Sequence, residues 1–366
     1  MVDLEFILSL RYDPATKSLP KKSLLDYEEN KTSISPQTLE DLLLTNIENV
    51  LGDYDKVGIS LSSGVDSPLV LLLFKKLFPD KKIIAFVNTD NERFQTAELI
   101  QKLNLEAYEV DPPSIYEEIP FYVNMCKEPR INAYHHRIWN AAKIQGCEIL
   151  LTGDGADELF GGYIHRYKSF ITGFGNAINR YMNGHINDWV PAQNFMFKNK
   201  DVYTKVKDYL DGLFLQPKSH NLRYVLRADY NGKFLCDLLP TVQKISKHYK
   251  IQTFSPFLMS NIRDMASHMK LTQLYKNNIG KVILRKILKK YDYFPSNNKI
   301  GLTYDLKKDY GMHFEEIRTS LREAHKIYDF VNKDWVERHI ITNEYRYINK
   351  MYQLLACEEY LNWMKT

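Results

Sequence analysis

The sequence predicts an α/β fold, with a parallel sheet covered by helices on both faces and followed by a mostly helical C-terminal part. Between residues 57 and about 163, short apolar segments alternate with segments of helical length, which is typical of parallel sheets. Two glycine-containing loops, at residues 62–67 and 152–163, begin directly after apolar segments. Beyond residue 163 no clear period of two is present, so helices and loops are expected there.

The predicted elements follow from local patterns along the chain. Residues 6–10 are an apolar run that is predicted as a strand, within an N-terminal extension over residues 1–34. Ser35 and Pro36 suit the N-cap and the first position of a helix that Gly52 ends. The remaining elements are predicted strands at 57–61, 83–87, 107–110 and 149–151, and predicted helices at 68–78, 94–103, 138–142, 279–290 and, with a break, 335–363.

Composition limits the class of protein and its partners. The 366 residues carry a formal net charge of +4 without a long basic block, so a nucleic-acid partner is not expected. The longest apolar runs are too short to span a membrane, and Asp3 and Glu5 stand where a signal peptide carries positive charge. Four scattered cysteines form no C-x-x-C pair, which favours reduced thiols and a cytoplasmic location.

The first loop, S-S-G-V-D-S at residues 62–67, lies between a predicted strand and a predicted helix. Backbone N–H groups at a helix N-terminus bind anions, and Ser67 and Pro68 are expected as the N-cap and first helical residue. A carboxylate such as Asp66 beside an anion site is favourable when a divalent metal lies between the two. The pattern therefore indicates a phosphate and metal site.

The second loop, T-G-D-G-A-D-E-L-F-G-G-Y at residues 152–163, contains three carboxylates within five residues. A solvated acidic loop is the alternative interpretation. In parallel sheets, however, loops that follow strands meet at the carboxyl edge, so the two loops are expected to converge. Asp66 and Asp157 would then bracket Mg²⁺ on a nucleotide's phosphates, and Asp154 would face another substrate.

The first loop resembles the S-G-G-x-D-S pyrophosphate loop of the ATP pyrophosphatases. Together with residues 153–163 it is similar to the synthetase domain of glutamine-hydrolysing asparagine synthetases, a group that includes β-lactam-forming synthetases and peptide cyclases. Residues 128–129, 255–258 and 280–285 resemble further segments of this family. The resemblance implies one synthetase domain over residues 35–366. Its nucleotide-binding core, to about residue 165, would have the adenine nucleotide alpha-hydrolase-like fold.

The resemblance also implies a chemistry. Such a ligase uses ATP and Mg²⁺ to adenylate a substrate carboxylate, releases pyrophosphate, and forms an amide with ammonia or another amine. Asp66 and Asp157 would hold magnesium, and adenine would lie near Val87 and Asn88. The catalytic residues would be Lys281, acting on the α-phosphate, and Asp154, accepting a proton from the amine. The nucleotide-binding residues would be Ser62, Ser63, Gly64, Asp66, Ser67, Val87, Thr152 and Gly153.

Departures from the family pattern leave the substrates open. Val2 stands where glutamine-hydrolysing members expose a cysteine nucleophile, so ammonia would come from solution or from a separate glutaminase subunit. Gln252, Phe254 and Met259 replace the family's glutamate, arginine and aspartate. The default substrate is aspartate. The alternatives are a larger acid (a sugar acid, a peptide or a lactam precursor) and a non-catalytic nucleotide-binding relative. The sequence does not determine the oligomeric state, and a homodimer is compatible with it.

Overall fold

Five short strands form one parallel sheet, and the predicted fold class is confirmed. The computed structural model describes residues 2–15, 32–89, 93–164, 167, 193–214, 222–296, 304–341 and 344–365. The strands, paired in the order β3-β2-β1-β4-β5, are β1 (Val57–Leu61), β2 (Ile83–Asn88), β3 (Glu106–Val110), β4 (Ile149–Leu151) and β5 (Gln252–Phe254). Strands β2 and β4 are buried throughout, as parallel strands covered on both faces must be.

The described helices account for most of the remaining chain. In the N-terminal half they are α1 (Leu4–Leu10), α2 (Pro36–Leu51), α3 (Asp66–Leu77), α4 (Arg93–Lys102), α5 (Ile115–Cys126), α6 (His136–Ile144) and α7 (Ala156–Phe160). In the C-terminal half they are α8 (Gln193–Met196), α9 (Val202–Phe214), α10 (Leu222–Ala228), α11 (Leu239–Tyr249), α12 (Ser260–His268), α13 (Leu271–Leu274), α14 (Val282–Leu288), α15 (Leu306–Met312), α16 (Phe314–Glu323), α17 (Lys333–His339) and α18 (Tyr345–Trp363). A π-helix spans Asp229–Leu238, and short 3₁₀ turns occur at Pro256–Leu258, Lys289–Tyr291 and Ile327–Asp329.

The strand order reverses between β1 and β4. The chain moves outward from β1 through β2 to β3, and then returns to the other side of β1 at β4. Right-handed crossovers therefore put α3 and α4 on one face of the sheet and α5 and α6 on the other. The carboxyl ends of β1 and β4 flank the point of reversal, where sheets of this kind form a crevice.

Several predicted boundaries are confirmed. Helix α2 begins at Pro36, and Oγ of Ser35 accepts a hydrogen bond from the N–H of Thr38 at 2.9 Å. Gly52 caps its end. The expected break near the C-terminus separates α17 from α18. None of the described helices is long and apolar enough to cross a membrane.

The predicted strand at residues 6–10 is wrong, because this segment lies in helix α1. Asp3 caps the helix, since its Oδ1 accepts hydrogen bonds from the N–H groups of Glu5 (3.0 Å) and Phe6 (3.2 Å). Helix α1 packs against α9 and α18 and buries Leu4, Ile7 and Leu8 there. An apolar run of five residues does not distinguish a strand from a buried helix, and here tertiary packing decides.

The helix after the first loop begins earlier than predicted. Helix α3 starts at Asp66, and Val65 occupies the N-cap position without a side-chain hydrogen bond. Ser67, the predicted N-cap, lies inside the helix instead. Its Oγ accepts a hydrogen bond from the N–H of Ser62 at 2.8 Å. The serine therefore closes the loop on itself rather than capping the helix.

The predicted helix over residues 279–290 is wrong at its start. Tyr275–Lys276 and Ile279–Gly280 form the strands of a hairpin, and α14 begins only at Val282. Asn277 (φ 51°) and Asn278 (φ 60°) make the turn, and two residues with positive φ are what a tight two-residue hairpin requires. Because Lys281 directly follows this hairpin, the hairpin places it at the carboxyl edge of the sheet.

Candidate active site

A cavity of about 720 Å³ opens at the carboxyl ends of β1 and β4. Both predicted loops line it: the first loop (residues 62–67) follows β1, and most of the second loop (residues 152–163) follows β4 on the opposite side. Lys281, delivered by the hairpin, lies between them. The two loops thus meet at one edge of the sheet.

The first loop is held in a closed conformation. Oγ of Ser62 and Oγ of Ser67 lie 3.0 Å apart, and the N–H of Gly64 donates to Oγ of Ser62 at 3.4 Å. Oη of Tyr293 donates to the carbonyl of Ser63 at 3.1 Å, which links the loop to the segment after α14. The loop leads into the N-terminus of α3, and such a terminus favours phosphate oxygens.

Contact between the two loops depends on glycine at residue 153. A Cβ atom at Gly153 would lie 2.5 Å from Cβ of Asp66 and 3.1 Å from the backbone nitrogen of Ser67. Gly162 leaves room for the ion pair within the second loop, because a Cβ there would overlap the Asp157 carboxylate and the Lys281 side chain. At Gly153 the second loop therefore packs directly on Asp66 and Ser67 of the first loop.

Lys281 joins the two loops electrostatically. Its backbone N–H donates to the carbonyl of Phe160 at 2.9 Å, and its φ of 55° turns the chain from the hairpin into α14. Nζ lies 2.5 Å from Oδ2 of Asp66 and 2.6 Å from Oδ1 of Asp157. Burial alone would lower the pKa of Lys281, but the two carboxylates outweigh it and raise the pKa. The side chain, 6% exposed, is therefore a buried ammonium.

Asp154 lies beside this ion-pair cluster. Its Oδ2 accepts a hydrogen bond from Oγ1 of Thr152 at 2.8 Å, and its carbonyl accepts one from Oγ of Ser255 at 2.7 Å. Burial has the largest effect and raises the pKa of Asp154; the hydrogen bond from Thr152 opposes it, and the negative charges of Asp66 and Asp157 raise the pKa further. A carboxyl group with a raised pKa is a better proton acceptor near neutral pH than an ordinary aspartate.

Of the two residues predicted near adenine, one lines the cavity. Asn88, at the end of β2, lines the cavity, and its buried Oδ1 has no hydrogen-bond partner among the described residues. Val87 is 2% exposed and is not part of the cavity wall. An unsatisfied buried amide oxygen is unusual and fits a ligand with an N–H group, such as adenine. The role of Val87 stays a prediction.

The three departures from the family pattern lie away from the cavity. Oε1 of Gln252 accepts a hydrogen bond from Oη of Tyr54 at 2.5 Å on the exposed side of β5. The carbonyl of Phe254 accepts one from the N–H of Thr152 at 2.9 Å, and Met259 precedes α12. None of the three lines the cavity over the described residues. Their side chains therefore do not form its wall.

Two further residues of the cavity wall, His135 and Arg11, were given no role from the sequence. His135 lines the wall, where burial lowers its pKa to about 4, whereas His136 is buried against Glu118 and Tyr249. Arg11 reaches the cavity from the chain following α1. No local signal marks either His135 or Arg11, because contacts distant in sequence place them.

The carboxylates of Asp66 and Asp157 suit a metal ion that a bound ligand would also coordinate. Two carboxylates, Asp66 and Asp157, lie within 2.6 Å of one nitrogen atom, so they are close neighbours. Over the described residues, no group of three or more His, Cys, Asp and Glu side chains forms a metal cage. Mg²⁺ is commonly bound by one or two carboxylates together with phosphate oxygens, so these residues fit it.

A loop leading into a helix N-terminus, two carboxylates and a buried lysine at the switch point of a five-stranded parallel sheet are typical of α/β proteins of the pyrophosphate-loop class. The sequence matches the model of the family described as asparagine synthase over residues 38–364. The chain therefore belongs to the asparagine synthase family.

Three known proteins show what this chain is similar to. A Methanocaldococcus jannaschii protein described as a glutamine-hydrolysing asparagine synthetase is 31% identical over 160 residues, covering 41% of this chain and 29% of its own length. The Francisella tularensis NMN synthetase structure has 16% identity and a TM-score of 0.28, covering 60% of this chain and 94% of that one. The NH₃-dependent NAD synthetase of Campylobacter jejuni has 17% identity and a TM-score of 0.29, covering 55% and 97%. At these TM-scores, the structural likenesses carry no argument about function.

Proposed function

We propose that the protein is an ATP-dependent carbon–nitrogen ligase that forms AMP. The observation that carries the proposal is the Lys281 ammonium group, which lies between Asp66 and Asp157 where the two loops meet. Transfer of a nucleotidyl group depends on alignment and charge neutralisation, and this site supplies anion-binding N–H groups, a buried cation and two carboxylates. Membership of the asparagine synthase family supports the same chemistry.

In the proposed first step, a substrate carboxylate oxygen attacks the α-phosphorus of ATP. The bond between the α-phosphorus and the bridging oxygen breaks, and pyrophosphate leaves toward the first loop, where Ser62, Ser63, Gly64 and Ser67 bind it. Lys281 would stabilise the charge that develops on the α-phosphate. Mg²⁺, held by Asp66 and Asp157, would neutralise the triphosphate.

In the proposed second step, an amine nitrogen attacks the acyl carbon of the adenylate. The carbon–oxygen bond to AMP breaks, and the amine loses a proton to Asp154, whose raised pKa suits that role. Thr152 orients Asp154 through its 2.8 Å hydrogen bond. Thr152 and Gly153 would also contact the nucleotide.

Aspartate and ammonia are the substrates that we propose first, with ammonia free or supplied by a separate glutaminase subunit. The larger acids were suggested by the changes at Gln252, Phe254 and Met259. These residues lie outside the cavity wall, so they no longer argue against aspartate.

None of the four cysteines forms a disulfide, which supports a reducing, cytoplasmic setting.

Product analysis tests this proposal directly. Purified protein is incubated with ATP, Mg²⁺, ammonium and a panel of acids that contains aspartate, glutamate, sugar acids and short peptides. We expect AMP and pyrophosphate in equal amounts, and only with an accepted acid. Formation of ADP, or ATP binding without turnover of any acid, would contradict the ligase function and favour a non-catalytic nucleotide-binding relative.

A further inference from the structure

A tyrosine distant in sequence holds the backbone of the first loop. Oη of Tyr293 donates a hydrogen bond to the carbonyl of Ser63 at 3.1 Å, although 230 residues separate the two in the chain. Ser62, Ser63 and Gly64 line the cavity, whereas Tyr293 is not among the described residues of its wall. The hydroxyl therefore acts on the backbone of the loop and not on a molecule in the cavity.

The contact fixes one peptide group of the loop. The carbonyl of Ser63 and the N–H of Gly64 belong to the same planar trans peptide group, in which they point in opposite directions. A hydrogen bond that holds this carbonyl therefore also sets the direction of the N–H, which points away from Tyr293. That N–H contacts Oγ of Ser62, on the cavity wall.

The N–H of Gly64 is available to a ligand. Its distance to Oγ of Ser62 is 3.4 Å, longer than the usual range of about 2.7–3.2 Å, so a phosphate oxygen can replace the serine as acceptor. Gly64 is exposed and has no side chain, so an anion can approach its backbone closely. A donor that already has its final direction binds an anion at a lower entropic cost.

Tyr293 supports a part of the loop that the serines do not. Ser62 and Ser67 join the two ends of the loop, because the N–H of Ser62 donates to Oγ of Ser67 at 2.8 Å. The peptide group between Ser63 and Gly64 lies in the middle, and the tyrosine holds it there. Loss of the hydroxyl would therefore release this peptide group while the ends of the loop stay closed.

Tyr293 is itself held in place by α14. Just beyond the tyrosine, Nη1 and Nη2 of Arg285 donate to the carbonyls of Pro295 (2.9 Å) and Ser296 (3.0 Å). Arg285 lies in α14, and Lys281 is the N-cap residue of that helix. One helix thus positions both the buried ammonium group of the site and the tyrosine that holds the first loop.

We propose that Tyr293 is a positioning residue for pyrophosphate, because it directs the N–H of Gly64 toward the anion that the first loop binds. This inference rests on the proposed function, since it concerns the same loop and the pyrophosphate released there. Tyr293 does not touch the anion. Binding of AMP, which has no pyrophosphate group, should not depend on Tyr293.

Two ligands separate this role from a general effect on the fold. Calorimetry measures the affinity of the wild type and of Tyr293→Phe for Mg²⁺–pyrophosphate and for AMP. The variant lacks only the hydroxyl of a half-buried side chain, so the fold should stay intact. Pyrophosphate binding should weaken by about three- to tenfold, the loss expected for one neutral hydrogen bond, and AMP binding should be unchanged.

Tyr291→Phe is the matched control, two residues earlier in the same segment. Oη of Tyr291 donates to Glu40, on α2, at 2.5 Å, so this variant should bind pyrophosphate as the wild type does. An equal loss of pyrophosphate affinity in both variants would assign the effect to the whole segment and overturn the inference. Unchanged pyrophosphate affinity in Tyr293→Phe, or an equal loss for AMP, would also overturn it.

The amide resonance of Gly64 reports on the peptide group directly. In protein labelled at glycine, Tyr293→Phe should shift this resonance without any ligand, and an identical resonance in the free wild type overturns the inference. Should the variant fail to fold, the wild-type spectrum decides. A Gly64 resonance that moves with Mg²⁺–pyrophosphate and not with AMP supports the inference, and one that moves with neither overturns it.

Failure of this inference differs from failure of the ligase function. Acid-dependent exchange of pyrophosphate into ATP, with equal pyrophosphate affinity in the wild type and Tyr293→Phe, overturns the inference and supports the ligase. A pyrophosphate affinity that depends on Tyr293, without exchange for any acid, supports the inference and contradicts the ligase.

Discussion

The ammonium group of Lys281 lies 2.5 Å from Oδ2 of Asp66, although 215 residues separate the two in the chain. Asp157 lies against the same ammonium group, so a single cation holds two carboxylates together. Two neighbouring carboxylates cannot both ionise at low cost without a positive charge between them. Lys281 therefore compensates the charge of both carboxylates, as the proposed site for a magnesium-bound triphosphate requires.

Substitution of Lys281 by alanine should impair adenylation more than ATP binding. Removing a buried charge that acts on the transition state typically slows a reaction by about 10²- to 10³-fold. Acid-dependent exchange of pyrophosphate into ATP measures the rate, and equilibrium dialysis measures ATP affinity. Lys286→Ala, at an exposed lysine of helix α14, which directly follows Lys281, is the matched control. Equal pyrophosphate exchange rates in the two variants would show that Lys281 does not take part in adenylation.

Gly153→Ala should separate the two loops. The new methyl group would lie 2.5 Å from Cβ of Asp66, closer than van der Waals contact allows, so the backbone must shift. We expect a loss of about 1–3 kcal/mol in the free energy of unfolding, together with weaker ATP binding. Gly311→Ala, in helix α15, should be neutral or slightly stabilising, because beyond its own helix the new Cβ atom would meet no atom of the described residues within 4 Å. Similar ATP affinity and stability in both variants would contradict the contact.

Asp154→Asn should remove the acidic limb from the pH profile of amide formation. The pKa of Asp154 is raised above 3.8 by burial and by its two acidic neighbours, so its basic form is lost as pH falls through that raised value. With hydroxylamine, a weakly basic amine, the variant should be slower by about 10²-fold or more at neutral pH. Its rate of pyrophosphate exchange should change far less. If the acidic limb of the pH profile is unchanged in Asp154→Asn, the titration of another group causes it.

Glu40→Gln should destabilise the fold in a pH-dependent way. Glu40 is 2% exposed and accepts hydrogen bonds from Lys76, Lys290 and Tyr291. Burial would raise its pKa, but these hydrogen bonds outweigh it and lower the pKa below 4.5. The stabilisation is therefore present at neutral pH and is lost as pH falls through the lowered pKa.

Denaturant unfolding measures this effect. At pH 7 the variant should lose about 1–3 kcal/mol of unfolding free energy, and the difference from the wild type should shrink below pH 4.5. Glu48→Gln, at an exposed position of the same helix, is the control and should change little. A difference that stays constant with pH would show that the ionised form of Glu40 is not the stabilising one.

Much of the fold could be predicted because its signals are local. The strands are short apolar segments, and parallel order brings the two loops to one edge by a general rule. Lys281 was predicted only from the resemblance to a family, since its approach to Asp66 depends on the hairpin at Tyr275–Gly280. Arg11 could not be predicted, because a helix mistaken for a strand carries it and a buried aspartate orients it.

A crystal structure with α,β-methylene ATP and Mg²⁺ tests the central claim most directly. We predict that the β- and γ-phosphates lie against residues 62–67, with Mg²⁺ bound by the carboxylates of Asp66 and Asp157. The α-phosphate should lie near Lys281 and open toward Asp154. Density for the nucleotide elsewhere on the protein, or a metal bound by neither carboxylate, would contradict the account.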